Sequence, residues 1–354
     1  MHKASGRDWR IDSFIKGAVM FYLGIDVAKA KLDCCLLLDE AGAKRKTKVA
    51  LNSKAGIAIL LEWTAKQNVL VSDLHIIMEA TCVYHEQAAL SLIEAGAVVS
   101  VINPAQARSL GRGIGVRTKT DKADSFVLAR CGALLKPAAW QPPSLEARML
   151  SSLLARRDAV AEDLRREKNR LEKAEAADMP PRVLQSILDA VSFHAAELKR
   201  LQQAADDHID SHSSMKQDMK LLTSIPAVGP QTGSKMLAVM KARHFQSAEQ
   251  LAAYLGLVPV ERQSGSSVLG RTRLSKTGPA KLRAVLYMAA VVAIRHNPHV
   301  KAVYERLLAR GKSKMSALGA SMRKLAHLCF GVLKTRLPYQ PNYALSCPSG
   351  GLSS

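Results

Sequence analysis

Apolar and polar positions in residues 20–140 alternate between strand-like and helix-like spacing. Strand-like runs lie at 21–26, 32–38, 46–51, 74–78 and 98–102, and helix-like runs lie at about 53–66, 85–95 and 122–135. Alternation with period two is typical of half-buried strands, whereas recurrence at three and four residues is typical of amphipathic helices. Three consecutive strands, followed by helices and strands in turn, predict an RNase H-like (RuvC-like) α/β domain, although other α/β folds share that order.

The middle of the chain, from Leu145 to about Ile209, has a helical pattern throughout. Pro180-Pro181 separates two helices, and apolar side chains in the second recur at alternating steps of four and three. These positions are Leu184, Leu188, Val191, Ala195, Leu198, Ala205 and Ile209, with Gln202 at one polar position. Such spacing predicts a short coiled-coil seam. An antiparallel helical arm, a dimerisation element and a plain helical hairpin packed on the body all fit it.

The last third of the chain is mainly α-helical in pattern and holds one clear local motif. Residues Ser224 to Gly233 read SIPAVGPQTG and precede an apolar helix that runs to Met240. A tight turn in which Gly229 opens a helix resembles a helix–hairpin–helix, whose exposed backbone N–H groups can hold a DNA phosphate. A purely structural turn is the alternative.

Five segments follow from these patterns. We expect a basic N-terminal extension at 1–19, an RNase H-like domain at 20–144, a helical coiled-coil arm at 145–215, a basic and mainly α-helical domain at 216–340, and a flexible tail at 341–354.

Charge is distributed unequally over these segments. The chain carries 51 Lys and Arg against 30 Asp and Glu, a formal net charge of +21, and its pI is near 9.9. Residues 1–150 hold 20 basic and 14 acidic side chains, residues 151–215 hold 10 and 12, and residues 216–354 hold 21 and 4. Because a basic field attracts polyanions, the last third is the expected nucleic-acid surface. A soluble protein that is merely basic is the alternative.

Cysteine spacing and apolar run length indicate the cellular setting. The six cysteines are Cys34, Cys35, Cys82, Cys131, Cys329 and Cys347. Their spacing offers neither a zinc site nor a disulfide framework, which fits a reducing cytoplasm. No apolar stretch reaches the roughly 18–20 residues of a membrane span, and the N-terminus shows no secretory cleavage site. We therefore expect a cytoplasmic protein without a membrane partner.

Four acidic residues stand where a metal site could assemble. Asp26 lies inside the first apolar strand, Glu79 ends a buried strand, and Asp121 and Asp124 share one face at a helix start. A buried carboxylate is costly unless it is paired or metal-bound. Carboxylate oxygens suit Mg²⁺, and two such ions about 3.5–4 Å apart can stabilise both reacting oxygens of a phosphodiester. Singly, each acid has a structural explanation, such as the helix dipole; together they favour a metal site.

Several sequence motifs occur in the order found in one known family. They are Gly24-Ile25-Asp26-Val27-Ala28-Lys29, Glu79-Ala80-Thr81, Val101-Ile102-Asn103-Pro104, Lys119-Thr120-Asp121-Lys122-Ala123-Asp124, the turn from Ile225 to Gly229, and Ser264-Gly265-Ser266-Ser267-Val268-Leu269-Gly270. From about Tyr22 to about Leu337 the chain resembles the DEDD-type insertion-sequence transposases. The resemblance implies a serine recombinase that is guided by a bridge RNA. In that family glycine follows the Ala-Thr pair, whereas Cys82 stands there in this chain. If the position needs a positive φ, cysteine strains the turn beside Glu79 and places activity in question.

The resemblance implies a site and a set of partners. Asp26, Glu79, Asp121 and Asp124 would bind Mg²⁺, and Ser264 of a C-terminal transposase domain would attack DNA to form a 5′-phosphoserine. The partners would be double-stranded donor and target DNA, a structured bridge RNA, and further copies of the chain in a dimer or tetramer. Domains of different subunits would complete one active site, in the bacterial cytoplasm and at the nucleoid when bound.

Ser264 has less support from its own sequence. Without the resemblance, the stretch from Gln263 to Ser267 reads as a flexible polar loop. Basic side chains that could hold phosphate surround it: Arg262, Arg271, Arg273, Lys276, Lys281 and Arg283. A serine hydroxyl is a poor nucleophile until it is activated, and no base lies near it in sequence. We therefore expect activation by the carboxylate–Mg²⁺ site, so that loss of Asp26 would abolish covalent attachment to DNA.

Two other functions fit the same charge pattern. A metal-dependent nuclease or junction resolvase would hydrolyse DNA with the carboxylates alone, so that Ser264→Ala would retain cleavage. A non-enzymatic nucleic-acid-binding protein would use only the turn and the basic helices, and removal of the acids would leave its function intact. Both would show the salt-sensitive binding that many Lys and Arg contacts to phosphate produce.

Overall fold

The computed structural model describes residues 20–80, 84–264 and 268–342, and for 262–264 and 268–271 it describes the backbone only. The chain divides into two compact units, Met1–Pro142 and Pro143–Ser354. None of the helices in the described ranges combines the length and apolarity needed to cross a bilayer.

The first unit is built on a mixed five-stranded sheet. Its elements are β1 Phe21–Val27, β2 Lys31–Leu37, β3 Arg45–Leu51, α1 Lys54–Ala65, a 3₁₀ turn Val71–Asp73, β4 Leu74–Glu79, α2 Tyr84–Glu94, β5 Val98–Ile102, α3 Pro104–Gly113 and α4 Asp121–Leu135. The strand order is β3-β2-β1-β4-β5. β2 pairs antiparallel with β1 and β3, whereas β4 pairs parallel with β1 and β5. This mixed sheet with interleaved helices confirms the predicted α/β domain, and its strand order agrees with an RNase H-like fold.

Alternate residues of the central strand β1 face two different cores. Leu23 and Ile25 pack in the core that includes α1 and α2 side chains, whereas Tyr22 packs in the core that includes α3 and α4 side chains. Because successive strand residues point to opposite faces, Asp26 lies on the same face as Tyr22, towards α4. The strand pattern therefore places an acid on the face that α4 covers.

Gly24 allows α4 to lie directly on β1. A Cβ at this position would come within 2.0 Å of the Ser125 carbonyl oxygen and 2.3 Å of the Ala129 nitrogen. Both are backbone atoms of α4, so no side-chain movement could relieve the clash. The glycine therefore brings the first turn of α4 close to the strand that carries Asp26.

The second unit is mostly helical. Its elements are α5 Leu145–Ala176, α6 Pro181–Ser211, α7 Ser213–Thr223, α8 Pro230–Ala242, α9 Ala248–Tyr254, β6 Pro259–Ser264, β7 Val268–Leu274, α10 Ala280–His296, α11 Pro298–Ala309 and α12 Lys314–Thr335. One apolar cluster joins Leu150 of α5 and Ile209 of α6 to Leu325 of α12. The base of the helical pair thus shares a core with the basic helices, and separate folding of 145–215 and 216–340 stays a prediction.

α5 and α6 form a helical hairpin, and its seam departs from the predicted one at two positions. Gln202 of α6 accepts a hydrogen bond of 2.8 Å from Arg157 of α5. Leu188 is 41% exposed and Ala195 is also exposed, whereas the other predicted apolar positions are partly or fully buried: Leu184, Val191, Leu198, Ala205 and Ile209. The inward positions in the first half of α6 follow steps of three and four rather than four and three. Both step orders return to the same face every seven residues, so the apolar repeat alone does not separate them.

Two elements were missed in the sequence. α3 follows directly from the predicted strand end, where the Asn103 side chain caps the helix by accepting from Ala105 N at 2.8 Å, with Pro104 as its first residue. Asparagine followed by proline is a recognised helix start, so this signal was available. The ribbon of β6 and β7 replaces the loop predicted around Ser264. Its strands carry few apolar residues, so the usual signal of a buried strand face is weak there.

Candidate active site

Three acids of the first unit lie on neighbouring strands, at the same end of the sheet. Asp26 of β1 pairs directly across the antiparallel ladder with Asp33 of β2. Glu79 ends β4, one residue beyond the last recorded pair between β1 and β4, Ile25 with Met78. Residues paired directly across strands project from the same face. Asp26 and Asp33 therefore lie on the face that α4 covers. Glu79 is the last residue of the neighbouring strand β4, at the same end of the sheet.

The first turn of α4 brings two more acids to the same place. The Thr120 side chain caps the helix by accepting a hydrogen bond of 3.2 Å from Ala123 N. Asp121 and Asp124 both lie in the first helical turn, where negative charge interacts favourably with the helix dipole. Because α4 packs against Gly24, its N-terminal turn lies beside the end of β1.

Electrostatics show that the five acids act on one another. The pKa of Asp26 is raised from 3.8 to about 6, first by burial and then by the negative charges of Asp124, Asp121, Glu79 and Asp33. The structure thus brings together all four acids predicted from the sequence and adds a fifth. We refer to these five residues as the carboxylate cluster.

Positive side chains moderate the charge around Glu79. Burial and the charge of Asp124 raise the pKa of Glu79, while Arg108 of α3 and Lys119 act in the opposite direction. The net direction is upward, because burial is the largest cause. Glu79 therefore resembles Asp26 in being held where its charged form is disfavoured.

Lys31 bridges two members of the carboxylate cluster. Its Nζ lies 2.6 Å from Asp121 Oδ2 and 3.0 Å from Asp33 Oδ2. The hydrogen bond from Lys31 lowers the pKa of Asp121, and the same two carboxylates raise the pKa of Lys31. The sequence analysis missed both Lys31 and Asp33. The available signal was an acid inside an apolar strand run, the same signal that identified Asp26.

The donor chemistry of the carboxylate cluster fits a hard divalent cation. Five carboxylates supply only oxygen ligands, the type that Mg²⁺ prefers, and a cation would offset the repulsion that raises the pKa of Asp26. In the part of the chain that the structure describes, no three His, Cys, Asp or Glu side chains are arranged to hold a metal ion. Asp121 instead contacts Lys31.

The predicted nucleophile lies in the second unit. Ser264 ends β6, and its backbone pairs with Val268 of β7. Its side chain, residues 265–267 and the side chains of Arg262 and Arg271 lie outside the described residues, as does Cys82.

The remaining predicted phosphate-binding residues divide into two kinds. Arg273, Lys276 and Lys281 are exposed. Arg283 is partly buried, and its Nη1 donates hydrogen bonds to the carbonyls of Leu255 and Gly278, at 3.3 Å and 3.0 Å. Phosphate binding by the first three stays a prediction, whereas Arg283 already stabilises the turn before α10.

The Gly229 turn connects α7 to α8. Gly229 is the N-terminal cap residue of α8 with an extended backbone, φ −80° and ψ 177°, and is exposed. Ala227, two residues earlier, takes a left-handed conformation with φ 77°. The turn thus lies between two helices, while the helix–hairpin–helix motif and phosphate binding by its backbone N–H groups stay predictions.

Comparisons with known proteins agree along nearly the whole chain. Residues 23–180 match a family model described as "Transposase", of the DEDD type of IS110 elements, and residues 219–305 match the model "Transposase IS116/IS110/IS902 family". The pilin gene-inverting protein of Moraxella lacunata is 31% identical over 320 residues, which cover 90% of this chain and 97% of that protein. An insertion element IS110 protein of 43.6 kDa from Streptomyces coelicolor is 30% identical over 121 residues, covering 34% of this chain and 30% of that protein.

A solved structure also aligns with part of the chain. It is the structure titled "T. thermophilus RuvC in complex with Holliday junction substrate". The alignment covers 32% of this chain and 92% of the RuvC chain, at 17% identity and a TM-score of 0.25. The fold assignment rests on the strand order of the sheet and not on this alignment.

Two expectations are corrected by the family match. The label of serine recombinases is wrong for the family, because its models describe transposases and one is named for its DEDD acids. A non-enzymatic nucleic-acid-binding protein is also wrong, because these transposases are enzymes that cleave and join DNA. The order of motifs, the carboxylate cluster and the long alignment lead to one conclusion: the chain belongs to the IS116/IS110/IS902 family of transposases.

Proposed function

We propose that this transposase cleaves DNA at the carboxylate cluster with the help of Mg²⁺ held by Asp26, Glu79, Asp121 and Asp124. The observation that carries the proposal is the convergence of acids at the end of β1, where Asp26 pairs across the ladder with Asp33 and α4 packs on Gly24. Burial and the four neighbouring carboxylates raise the pKa of Asp26 to about 6, which supports it. Acids gathered at such cost are typical of functional sites. Bound Mg²⁺ would supply Lewis-acid stabilisation of the reacting phosphodiester.

The finer part of the proposal concerns Ser264. Its hydroxyl oxygen would attack a DNA phosphorus atom, the bond to the 3′ oxygen would break, and a 5′-phosphoserine and a free 3′ hydroxyl would form. The serine proton would pass to a carboxylate of the cluster, in the same or another subunit, and from there to the leaving 3′ oxygen, because the hydroxyl needs a base and the leaving oxygen needs an acid. Exchange of one ester for another conserves bond energy, so the strands could rejoin without a further energy source.

One observation supports a joining reaction. One relative is named as a gene-inverting protein, and inversion requires that cut strands be rejoined. The backbone of Ser264 ends strand β6. We also propose, on the family resemblance, that a bridge RNA pairs with donor and target DNA and that the chain works as a homo-oligomer at the bacterial nucleoid. The exposed Arg273, Lys276 and Lys281 would contribute phosphate contacts.

A second candidate mechanism is hydrolysis by the carboxylate cluster alone. The same acids favour it, since a metal-activated water can replace the serine. The two mechanisms differ in one product: transesterification leaves DNA attached to protein, whereas hydrolysis leaves only free ends.

A trapping experiment separates the two mechanisms. The full-length protein would be incubated with Mg²⁺, the element's own RNA and labelled element-end DNA, then run on a denaturing gel. We expect a labelled protein–DNA adduct that is absent from Ser264→Ala and Asp26→Asn and retained in the control Ser275→Ala. Cleaved DNA without an adduct, unaffected by Ser264→Ala, would establish hydrolysis. Persistence of cleavage in Asp26→Asn would remove the carboxylate cluster from the reaction.

A further inference from the structure

Lys31 lies on the same face of the sheet as the acids that it contacts. It is the first residue of β2, two positions before Asp33, and residues two apart on a strand share a face. Asp33 in turn pairs across the ladder with Asp26. Strand geometry thus directs the lysine towards the carboxylate cluster.

Lys31 contacts two of the five acids, Asp121 at 2.6 Å and Asp33 at 3.0 Å. The pKa of Asp26 is still raised, first by burial and then by the charges of the four other acids. The Lys31 side chain is 46% exposed, so the ammonium group can leave for solvent without an opening of the core. Asp121 is also 56% exposed and lies on the helix rather than the sheet. The contact is therefore close and neutralises only part of the negative charge of the carboxylate cluster. Because both side chains are exposed, it can open without disturbing the core.

We propose that Lys31 is an internal counter-ion of the carboxylate cluster that competes with a divalent cation for Asp121 and Asp33. The inference rests on the proposed function, because it takes the cluster as the metal site. Lys31 holds Asp121 towards β2, and its ammonium group must withdraw before the Asp121 oxygens can ligate a cation. It is a positioning residue that sets the affinity and order of metal loading.

The consequence is a measurable coupling. A ligand that can bind only after a contact opens has an apparent dissociation constant equal to the intrinsic constant divided by the fraction of molecules already open. By reciprocity, a bound cation must weaken the contact of Lys31 by the same factor. Removal of the lysine should therefore tighten cation binding, while an arginine, which preserves charge and contact, should not.

The test measures Mn²⁺ binding to the full-length protein by calorimetry and by the electron paramagnetic resonance signal of the free ion. We expect Lys31→Gln to bind Mn²⁺ about three- to tenfold more tightly than wild type, and Lys31→Arg to bind as wild type does. Lys122→Gln is the matched control, because it removes the same charge from an exposed position beside Asp121. We expect it to change affinity less than about twofold. Equal or weaker binding by Lys31→Gln, or an equal gain in Lys122→Gln, would overturn the proposal.

Two further measurements keep the outcomes distinct. Asp26→Asn should lose Mn²⁺ binding; if it binds as wild type does, the proposed metal site fails whatever Lys31 does. Thermal unfolding provides a readout that is independent of affinity. Lys31→Gln should melt below wild type without Mn²⁺ and gain more in Tm on saturation. An equal gain in Tm in both proteins contradicts competition.

Discussion

The two units of the molecule contain opposite kinds of ionic cluster. In the first unit, five carboxylates lie together, and Lys31 pairs with two of them, Asp33 and Asp121, at a partly exposed site. In the second unit, one buried carboxylate, Asp218, contacts both Lys241, at 2.8 Å, and Arg336. The first cluster has an excess of its own charge, whereas the second has more positive than negative groups.

This difference distinguishes a candidate reactive site from a structural one. Asp218 is only 3% exposed, and Arg336 also donates to Gln217 at 3.0 Å, so α7 is tied to the end of α12. A buried acid with two partners serves the fold and needs no ligand. The carboxylate cluster raises the pKa of Asp26 instead of lowering it. The carboxylates repel one another, so they stay together only if the packing around them holds them in place.

The largest expected effect comes from breaking the second cluster. Asp218→Asn leaves Lys241 and Arg336 facing an uncharged amide and should lower the free energy of unfolding by about 3 kcal/mol. Urea unfolding measures it. The control is Asp210→Asn, whose carboxylate is 63% exposed and pairs with Lys216 at 3.1 Å; it should cost less than about 0.5 kcal/mol. Similar losses in both variants would mean that Asp218 is not a structural centre.

Gly24→Ala tests whether packing assembles the carboxylate cluster. The added Cβ would come within 2.0 Å of the Ser125 carbonyl oxygen, so α4 must move, at a cost of about 3 kcal/mol. The displaced helix should also weaken Mn²⁺ binding, because it carries Asp121 and Asp124. Urea unfolding and calorimetry measure the two effects.

Gly113→Ala serves as the matched control for that substitution. A Cβ at Gly113 meets nothing within 4 Å, so stability should change by less than about 0.5 kcal/mol. If Gly24→Ala is equally mild, the close approach of α4 to β1 does not hold the acids together.

The sequence predicted much of this site, because strand and helix patterns carry local information. Asp26 and Glu79 were identified as acids in or at the end of apolar strands, and Asp121 and Asp124 as acids at a helix start. Their convergence could not be read from spacing, since it depends on the strand order and on α4 lying over Gly24. Asp33 gave the same local signal as Asp26 but has no place in the family motifs.

The limits of the sequence are clearest in the second unit. The predicted seam of α6 was wrong at two positions, because Leu188 and Ala195 fit an apolar repeat but are exposed in the structure. Arg283 was grouped with phosphate-binding residues on charge alone, yet its guanidinium donates to the carbonyls of Leu255 and Gly278. Charge identifies a basic region, whereas the partner of each cation depends on tertiary contacts.

The smallest expected effect concerns pH, and it has the opposite sign to that of Asp218→Asn. Asp26 titrates near 3.8 in the unfolded chain and near 6 in the folded chain, so the folded state binds the proton more tightly. Its contribution to stability is therefore present at low pH, falls as pH rises from about 4 to about 6, and stays low above that. Because the side chain is partly exposed, solvent screening limits the loss to about 1 kcal/mol.

Asp26→Asn should remove this loss. Without divalent cations, the variant should be more stable than wild type by about 1 kcal/mol at pH 7 and equal to it at pH 4. Urea unfolding across this range measures the difference, and saturating Mg²⁺ should cancel it by stabilising wild type alone. A variant less stable than wild type at pH 7 would show that Asp26 is held by favourable contacts, as Asp218 is. The two clusters would then not differ in kind, since each acid would serve the fold before any reaction.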